Sequence, residues 1–183
     1  MSTDSPILNE HNLAESESKA NLICFAEPKQ GNELNAHNKQ EYPPMHTAEH
    51  ILNQTMVRMF GCPRSRNAHI ERKKSKCDYI LDTCPTEEQV QELERRVNDV
   101  IAQGLPVTYE FVRRDEVPPE VDLGKLPDDA SETLRLVRIG DYDLCACVGT
   151  HVQNTSEIGT FKIISHDYND EAHTWRMRFK LVE

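Results

Sequence analysis

The strongest constraint on the fold is a set of metal-ligand side chains divided between two distant segments. One segment places His46 and His50 four residues apart at the start of a run with helical apolar spacing, HTAEHILNQ. On a helix this spacing puts both imidazoles on one side, where both reach one ion at about 2.0–2.1 Å. The other segment supplies Cys147 and His151 around a glycine-containing turn, in CVGTH. The fold must therefore bring residues about a hundred positions apart into contact.

Three imidazoles and one thiolate form a borderline-soft ligand set that suits zinc. Cys145 shares a face with Cys147 if the strand is regular, so either thiol can be the ligand. We favour Cys147, because a turn can close its spacing to His151. Zinc in such a site either activates water or anchors the substrate. With four protein ligands the site can instead be closed and structural.

A basic segment directly follows the first pair of histidines. The net charge of -10 argues against a general nucleic-acid binder, but Arg58 to Lys76 hold seven basic residues and one acidic one. One interpretation is a solvated loop balanced by nearby acids. The other is a surface that contacts nucleic-acid phosphates. Its candidate residues are Arg64, Arg66, Lys73 and Lys74.

Length and composition predict one globular domain with an appendage. The chain has 183 residues, of which 37% are hydrophobic and 28% charged. We expect a polar, largely flexible N-terminal tail at 1–42 and a zinc domain at 43–183. The start of the chain has neither the basic nor the apolar region of a signal peptide, and no run approaches the roughly 18 apolar residues of a membrane span. We therefore expect a soluble cytoplasmic protein with no membrane partner, whose six cysteines are reduced thiols.

The apolar patterns predict two helices and a series of short strands. The first helix begins after Pro43 and Pro44 and ends at Gly61, with its histidines on a face separate from the apolar stripe. The second helix begins with a capping box and ends at Gly104. Strands are expected at 68–71, 77–82, 107–112, 134–139, 142–147, 160–166 and 173–182. Strands segregated from two helices indicate an α+β fold with a mainly antiparallel sheet.

These motifs together resemble a known domain. The pattern H-x-x-x-H, C-x-x-x-H, T-x-E-I-G is similar to the editing domain, or second additional domain, of alanyl- and threonyl-tRNA synthetases. It most resembles the free-standing alanyl-tRNA editing proteins of the AlaX type. The residues that carry the resemblance are His46, His50, Cys147, His151, Thr155, Glu157, Ile158 and Gly159. The resemblance covers about 43–183 and implies a sheet curled around a central histidine-bearing helix.

The resemblance also implies a reaction. Such domains hydrolyse the ester that joins a wrong amino acid to the terminal ribose of a tRNA, because a first pocket rejects an added hydroxyl only about a hundredfold. The expected activity is a zinc-dependent hydrolase acting in trans on seryl-tRNA(Ala), with the misacylated acceptor end as partner. The alternatives are seryl-tRNA(Thr) as substrate and a non-catalytic zinc- and tRNA-binding module. The oligomeric state is left open, and no aminoacylation module fits within 183 residues.

Four further residues are expected beside the metal site. Thr150 and Asn53 are candidate catalytic hydrogen-bond donors, with a turn or surface polar role as the alternative. Val148 and Ser156 stand where many relatives carry glycine. Each adds bulk or removes backbone freedom, so we expect them to alter the amino acid accepted rather than the metal.

Overall fold

A computed structural model describes residues 42–123 and 132–182 of the chain. Its two helices are α1 (Pro43–Phe60) and α2 (Glu87–Ala102). Its strands are β1 (Asn67–His69), β2 (Ser75–Ile80), β3 (Val107–Arg113), β4 (Thr133–Ile139), β5 (Asp143–Ala146), β6 (Thr160–Asn169) and β7 (Thr174–Val182). Two short 3-10 helices lie at Arg114–Glu116 and Thr155–Glu157. The predicted α+β class is confirmed, whereas residues 1–41 of the predicted tail lie outside the described residues.

The strands form two antiparallel sheets where the sequence predicted one. Four strands are ordered β1-β2-β7-β6, and three are ordered β3-β4-β5. The predicted antiparallel pairing is confirmed. The strands divide into two sheets because β2 pairs with β7, far along the chain, and not with β3. No local sequence pattern indicates this long-range pairing. Strands β6 and β7 form a hairpin, and β6 continues through Asp167 to Asn169, beyond the predicted end of this strand at 166. The curling of a sheet around the histidine helix stays a prediction.

Helix α1 ends at Gly61 as its sequence predicts, but it begins at Pro43, two residues before the predicted start. Prolines occupy its first turn, where no helical N–H partner is needed, and Gly61 ends it in the left-handed region at φ 64°. The helix is buried on more faces than the apolar stripe predicts, since His50 is only 3% exposed. Its buried residues are Met45, Thr47, Ala48, Glu49, His50, Ile51, Leu52, Asn53, Thr55 and Met56. The polar members of this set must therefore find partners inside the protein.

Helix α2 is the support against which α1 packs. It begins with the predicted capping box between Thr86 and Gln89. Its apolar stripe is buried and consists of Val90, Leu93, Val97, Val100 and Ile101. They share one core with α1 and with Trp175, Met177 and Phe179 of β7. Neither described helix is long and apolar enough to cross a membrane.

The T-x-E-I-G motif builds the connection between α2 and the loop that precedes β6. The Thr155 hydroxyl is fully buried, donates to the carbonyl of Ile101 at 3.0 Å and accepts the N–H of Leu105 at 2.8 Å. Glu157 forms a capping box with Asn154 around the 3-10 helix. Ile158 is 3% exposed and joins the core. The motif thus anchors the end of the Cys147–His151 region to α2.

We expect Thr155→Val to lower the free energy of unfolding by about 1–3 kcal/mol, because it keeps the shape but leaves the partly buried Leu105 N–H without its acceptor. Urea denaturation measures this. Thr160→Val, at the exposed start of β6, is the matched control and should change the free energy by less than about 0.5 kcal/mol. Equal effects of the two variants would contradict an anchoring role for Thr155.

Candidate metal centre

The structure brings the predicted ligand residues together. One ligand atom from each of His46, His50, Cys147 and His151 lies within 4.8 Å of the others. The two histidines of α1 meet Cys147, directly after β5, and His151 in the loop that follows. Sγ of Cys147 lies 3.4 Å from Nε2 of His46. The ring centroid of His151 lies 4.2 Å from that of His46 and 4.5 Å from that of His50. This ligand cluster is a group that can hold a metal ion.

Arg135 of β4 holds the turn between Cys147 and His151. Its guanidinium donates to the carbonyl of Cys147 at 2.8 Å and to the carbonyl of Gly149. The backbone N–H of Cys147 in turn donates to the carbonyl of Arg135 at 3.1 Å. The turn passes so close to α1 that a Cβ at position 149 would overlap the His46 ring, lying 2.6 Å from its Nδ1. Glycine is therefore required there by the close approach of the imidazole, not by a left-handed backbone.

The hydroxyl of Thr47 orients His151. It donates to the carbonyl of Pro43 at 3.0 Å, and it lies 3.0 Å from Nδ1 of His151. It also accepts the N–H of Val152 at 3.2 Å. A hydroxyl has one hydrogen, and here the Pro43 carbonyl receives it, so Nδ1 of His151 is assigned as the donor. That tautomer leaves the lone pair of Nε2 for a metal ion.

His50 is oriented by a buried ion pair. Its Nδ1 lies 3.6 Å from Oδ2 of Asp143, and Asp143 accepts two hydrogen bonds from Arg64 at 2.6 and 3.2 Å. Burial lowers the pKa of His50, but Asp143, Cys147 and Glu49 outweigh burial and raise it to about 9. Burial raises the pKa of Asp143, but His50 and Arg64 hold it below its usual range. The separation between His50 and Asp143 is too long for a hydrogen bond, but the negative charge of Asp143 favours a proton on Nδ1, and this tautomer leaves Nε2 for a metal ion.

The two neighbouring cysteines differ in charge. Burial raises the pKa of the Cys147 thiol, but His151, His46 and His50 together lower it to about 3. Burial raises the pKa of Cys145 to about 12, although Arg64 opposes the change. Cys147 is therefore a thiolate and Cys145 a neutral thiol. Since the thiolate is the metal-binding form, this difference favours the thiol that the sequence favoured.

Two observations test whether zinc fits this cluster. Nε2 of His151 is buried and has no hydrogen-bond partner among the described residues. The Cys147 thiolate places a negative charge beside that atom. A borderline-soft cation would satisfy both, and the donor set of one sulfur and three nitrogens is one that zinc binds. The residues fit zinc.

The two predicted hydrogen-bond donors lie in different settings. Asn53 is fully buried, donates to Glu49 at 2.5 Å and accepts the N–H of Ser65 at 2.9 Å. Its amide is engaged at both ends and ties α1 to the segment that follows it. A catalytic role for Asn53 stays a prediction. Thr150 is exposed and directly precedes His151.

The two positions that depart from glycine are both exposed. Val148 is 85% exposed beside Cys147. The N–H and hydroxyl of Ser156 both donate to the side chain of Asn154, at 2.9 and 2.7 Å. Ser156 therefore contributes to the turn after His151, and its effect on the accepted amino acid stays a prediction.

The predicted phosphate contacts also separate into two kinds. Arg66, Lys73 and Lys74 are exposed. The side chain of Arg64 is only 10% exposed and is paired with Asp143, so it supports His50 instead of facing solvent. Its position in a basic run concealed this role, because nothing local indicates a partner 79 residues away.

Sequence reasoning missed the residues that hold the ligands in place. Thr47 lies between the two histidines of HTAEH, and a polar residue on the buried side of a helix was an available signal. Asp143 and Arg135 had none, because each acts through a contact that forms only in the folded chain, Asp143 with α1 and Arg135 with the turn after β5. The spacing of the ligand residues in the sequence is enough to predict them. The residues that orient these ligands can be identified only from contacts in the folded structure.

Residues 134–177 match the family described as the threonyl and alanyl tRNA synthetase second additional domain. The chain is 32% identical over 153 residues to alanine–tRNA ligase of Methanococcus vannielii, covering 78% of this chain and 17% of the ligase. It is 35% identical over 121 residues to alanine–tRNA ligase of Caldicellulosiruptor saccharolyticus, covering 66% of this chain and 14% of the ligase. The chain thus spans less than a fifth of the length of these relatives.

We expect purified protein to hold about one zinc per chain, and Cys147→Ala to lose it, because the variant removes the only thiolate of the ligand cluster. Cys145→Ala is the matched control and should keep the metal. Elemental analysis after dialysis measures both. Zinc retained in Cys147→Ala and lost in Cys145→Ala would show that the other thiol is the ligand.

We expect Gly149→Ala to destabilise the metal-free protein by about 1–3 kcal/mol, because the added methyl group overlaps the His46 ring. The same substitution in a His46→Ala background should cost less than about 0.5 kcal/mol, since the ring is gone. Denaturation of the four proteins in chelator measures the coupling. If Gly149→Ala destabilised the wild type and the His46→Ala variant equally, the overlap with the His46 ring would not be the cause.

Proposed function

Because this chain carries the second additional domain of the threonyl and alanyl tRNA synthetases, we propose that it is a zinc-dependent editing hydrolase. It removes a wrong amino acid from tRNA in trans, and its partner is the misacylated acceptor end. The observation that carries the proposal is the convergence of three imidazoles and one thiolate within 4.8 Å. The cytoplasm, where tRNA is charged, is its proposed location.

The chain's own residues supply orientation and position. Asp143 directs the Nδ1 proton of His50, and Thr47 accepts the Nδ1 proton of His151, so that both Nε2 atoms are presented together. Arg135 fixes the turn that carries Cys147. The ligand cluster would hold zinc, which would supply Lewis-acid chemistry to the reaction. Thr150, an exposed residue directly before His151, is our candidate for a hydrogen bond to the substrate.

Seryl-tRNA(Ala) is the proposed substrate. An alanine pocket cannot strongly reject serine, which only adds a hydroxyl, so a second site that reads the hydroxyl is needed. The similarity of this chain to alanine–tRNA ligases favours the alanine tRNA over the threonine tRNA. The exposed cations Arg66, Lys73 and Lys74 are proposed to contact its phosphates.

Single-turnover deacylation tests the proposal. Zinc-loaded protein should hydrolyse seryl-tRNA(Ala) at least tenfold faster than alanyl-tRNA(Ala), a difference of about 1.4 kcal/mol in transition-state binding. Seryl-tRNA(Thr) is the third substrate, and Cys145→Ala and Cys147→Ala are the active and inactive controls. Removing the charges of Arg66, Lys73 and Lys74 should weaken tRNA binding and flatten its salt dependence.

Two results would overturn this assignment. Binding of all three aminoacyl-tRNAs with no hydrolysis over hours would indicate a non-catalytic zinc- and tRNA-binding module. Equal hydrolysis of seryl- and alanyl-tRNA(Ala) would show that the site does not read the serine hydroxyl.

A further inference from the structure

Two aromatic side chains are exposed side by side on β3. Tyr109 is 44% exposed and Phe111 is 73% exposed. The other exposed large hydrophobic residues among those described are aliphatic, namely Ile80, Val148, Ile164 and Val182. Because alternate residues of a strand point to the same side, Tyr109 and Phe111 share one face of the three-stranded sheet. An exposed pair of rings of this kind marks a binding surface rather than a core.

This face of the sheet also carries the ligand cysteine. Phe111 pairs with Arg135 across the β3–β4 ladder, and the N–H of Cys147 donates to the carbonyl of Arg135. Residues opposite each other in a ladder project to the same side, so the three form a row across the sheet. Two strand spacings amount to about 10 Å. The Tyr109 ring is nearer still, with its centroid 6.5 Å from that of His151.

Guanidinium groups alternate with the rings. Arg135 lies 4.7 Å from the centre of the Tyr109 ring and is fixed by its hydrogen bonds to the carbonyls of Cys147 and Gly149. Arg113 lies two residues beyond Phe111 on the same face and is paired with Asp115, both of them solvent-exposed. Aromatic faces interleaved with cations are the arrangement that binds unpaired nucleotides, by stacking the bases and neutralising the phosphates.

We propose that Tyr109 and Phe111 form a stacking platform for the unpaired bases at the 3′ end of tRNA. The inference rests on the proposed function, since it takes the ester to lie at the ligand cluster. Base and ester are attached to the same terminal ribose, so a base stacked beside His151 leaves its ester within reach of the cluster. The fixed guanidinium of Arg135 makes the platform preformed, because Tyr109 needs no rearrangement to present its ring.

Fluorescence of a short single-stranded RNA that ends in 2-aminopurine tests the platform without any chemistry. Stacking quenches this base, so zinc-loaded protein should quench the probe. Phe111→Ala and Tyr109→Ala should each weaken binding about tenfold. Phe111→Trp should retain the quenching, since it keeps an aromatic face. Ile164→Ala, which removes an exposed aliphatic side chain from β6, is the matched control and should bind like the wild type.

The deacylation assay separates this inference from the proposed function. If the platform binds the terminal base, Phe111→Ala should raise the KM for seryl-tRNA and leave hydrolysis of a small serine ester without a base unchanged. Quenching without deacylation would overturn the hydrolase assignment and leave the platform intact. Deacylation that Phe111→Ala does not affect, together with unchanged quenching, would overturn the platform. So would a change of oligomeric state in Phe111→Ala with unchanged quenching, because the rings would then bind a second protein chain.

Discussion

The contact between α1 and the turn after β5 is the interaction on which the site depends. Its centre is the Thr47 hydroxyl, which meets the Pro43 carbonyl, the His151 imidazole and the Val152 N–H at 3.0, 3.0 and 3.2 Å. Because Gly149 has no side chain, the turn can approach α1 until its backbone contacts the His46 ring. This small region therefore sets both the position of the His151 loop against α1 and the tautomer of His151, and a change there alters both.

Buried charge provides the second support of the site. Arg64 and Asp143 are both largely removed from solvent, and their bidentate pairing offsets a desolvation cost of several kcal/mol for each ion. Such a pair adds little net stability compared with apolar residues, but losing one partner leaves the other charge buried and unpaired. The role of the Arg64–Asp143 pair is to orient the His50 ring. A carboxylate held rigidly by a guanidinium holds the His50 ring in one orientation, which an exposed aspartate could not do.

Local sequence patterns predicted the helices and strands, whereas the pairing of the strands and the burial of single charged residues depend on long-range contacts. The capping box of Thr86 and the glycine at the end of α1 act over a few residues, so both can be predicted from the sequence. The ligand residues could be predicted for the same reason, because the two members of each pair lie only four residues apart within one segment of the chain. The pairing of β2 with β7 and the position of Arg64 depend on residues far along the chain. A basic run gives no indication of which of its members will be buried.

The separation of 101 residues between His46 and Cys147 has a consequence for how the protein is made. At about 5–20 residues per second, a ribosome releases α1 roughly 5–20 s before the ligands after β5 exist. During that interval the two histidines of α1 can offer an ion only two ligands, and the apolar side of the helix has no β7 to cover it. Closing a loop of that length costs about 4 kcal/mol of chain entropy, which only the assembled core offsets. Under the proposed function, the ligand cluster can therefore take up its metal only after the residues that follow β5 have been made and the core has assembled.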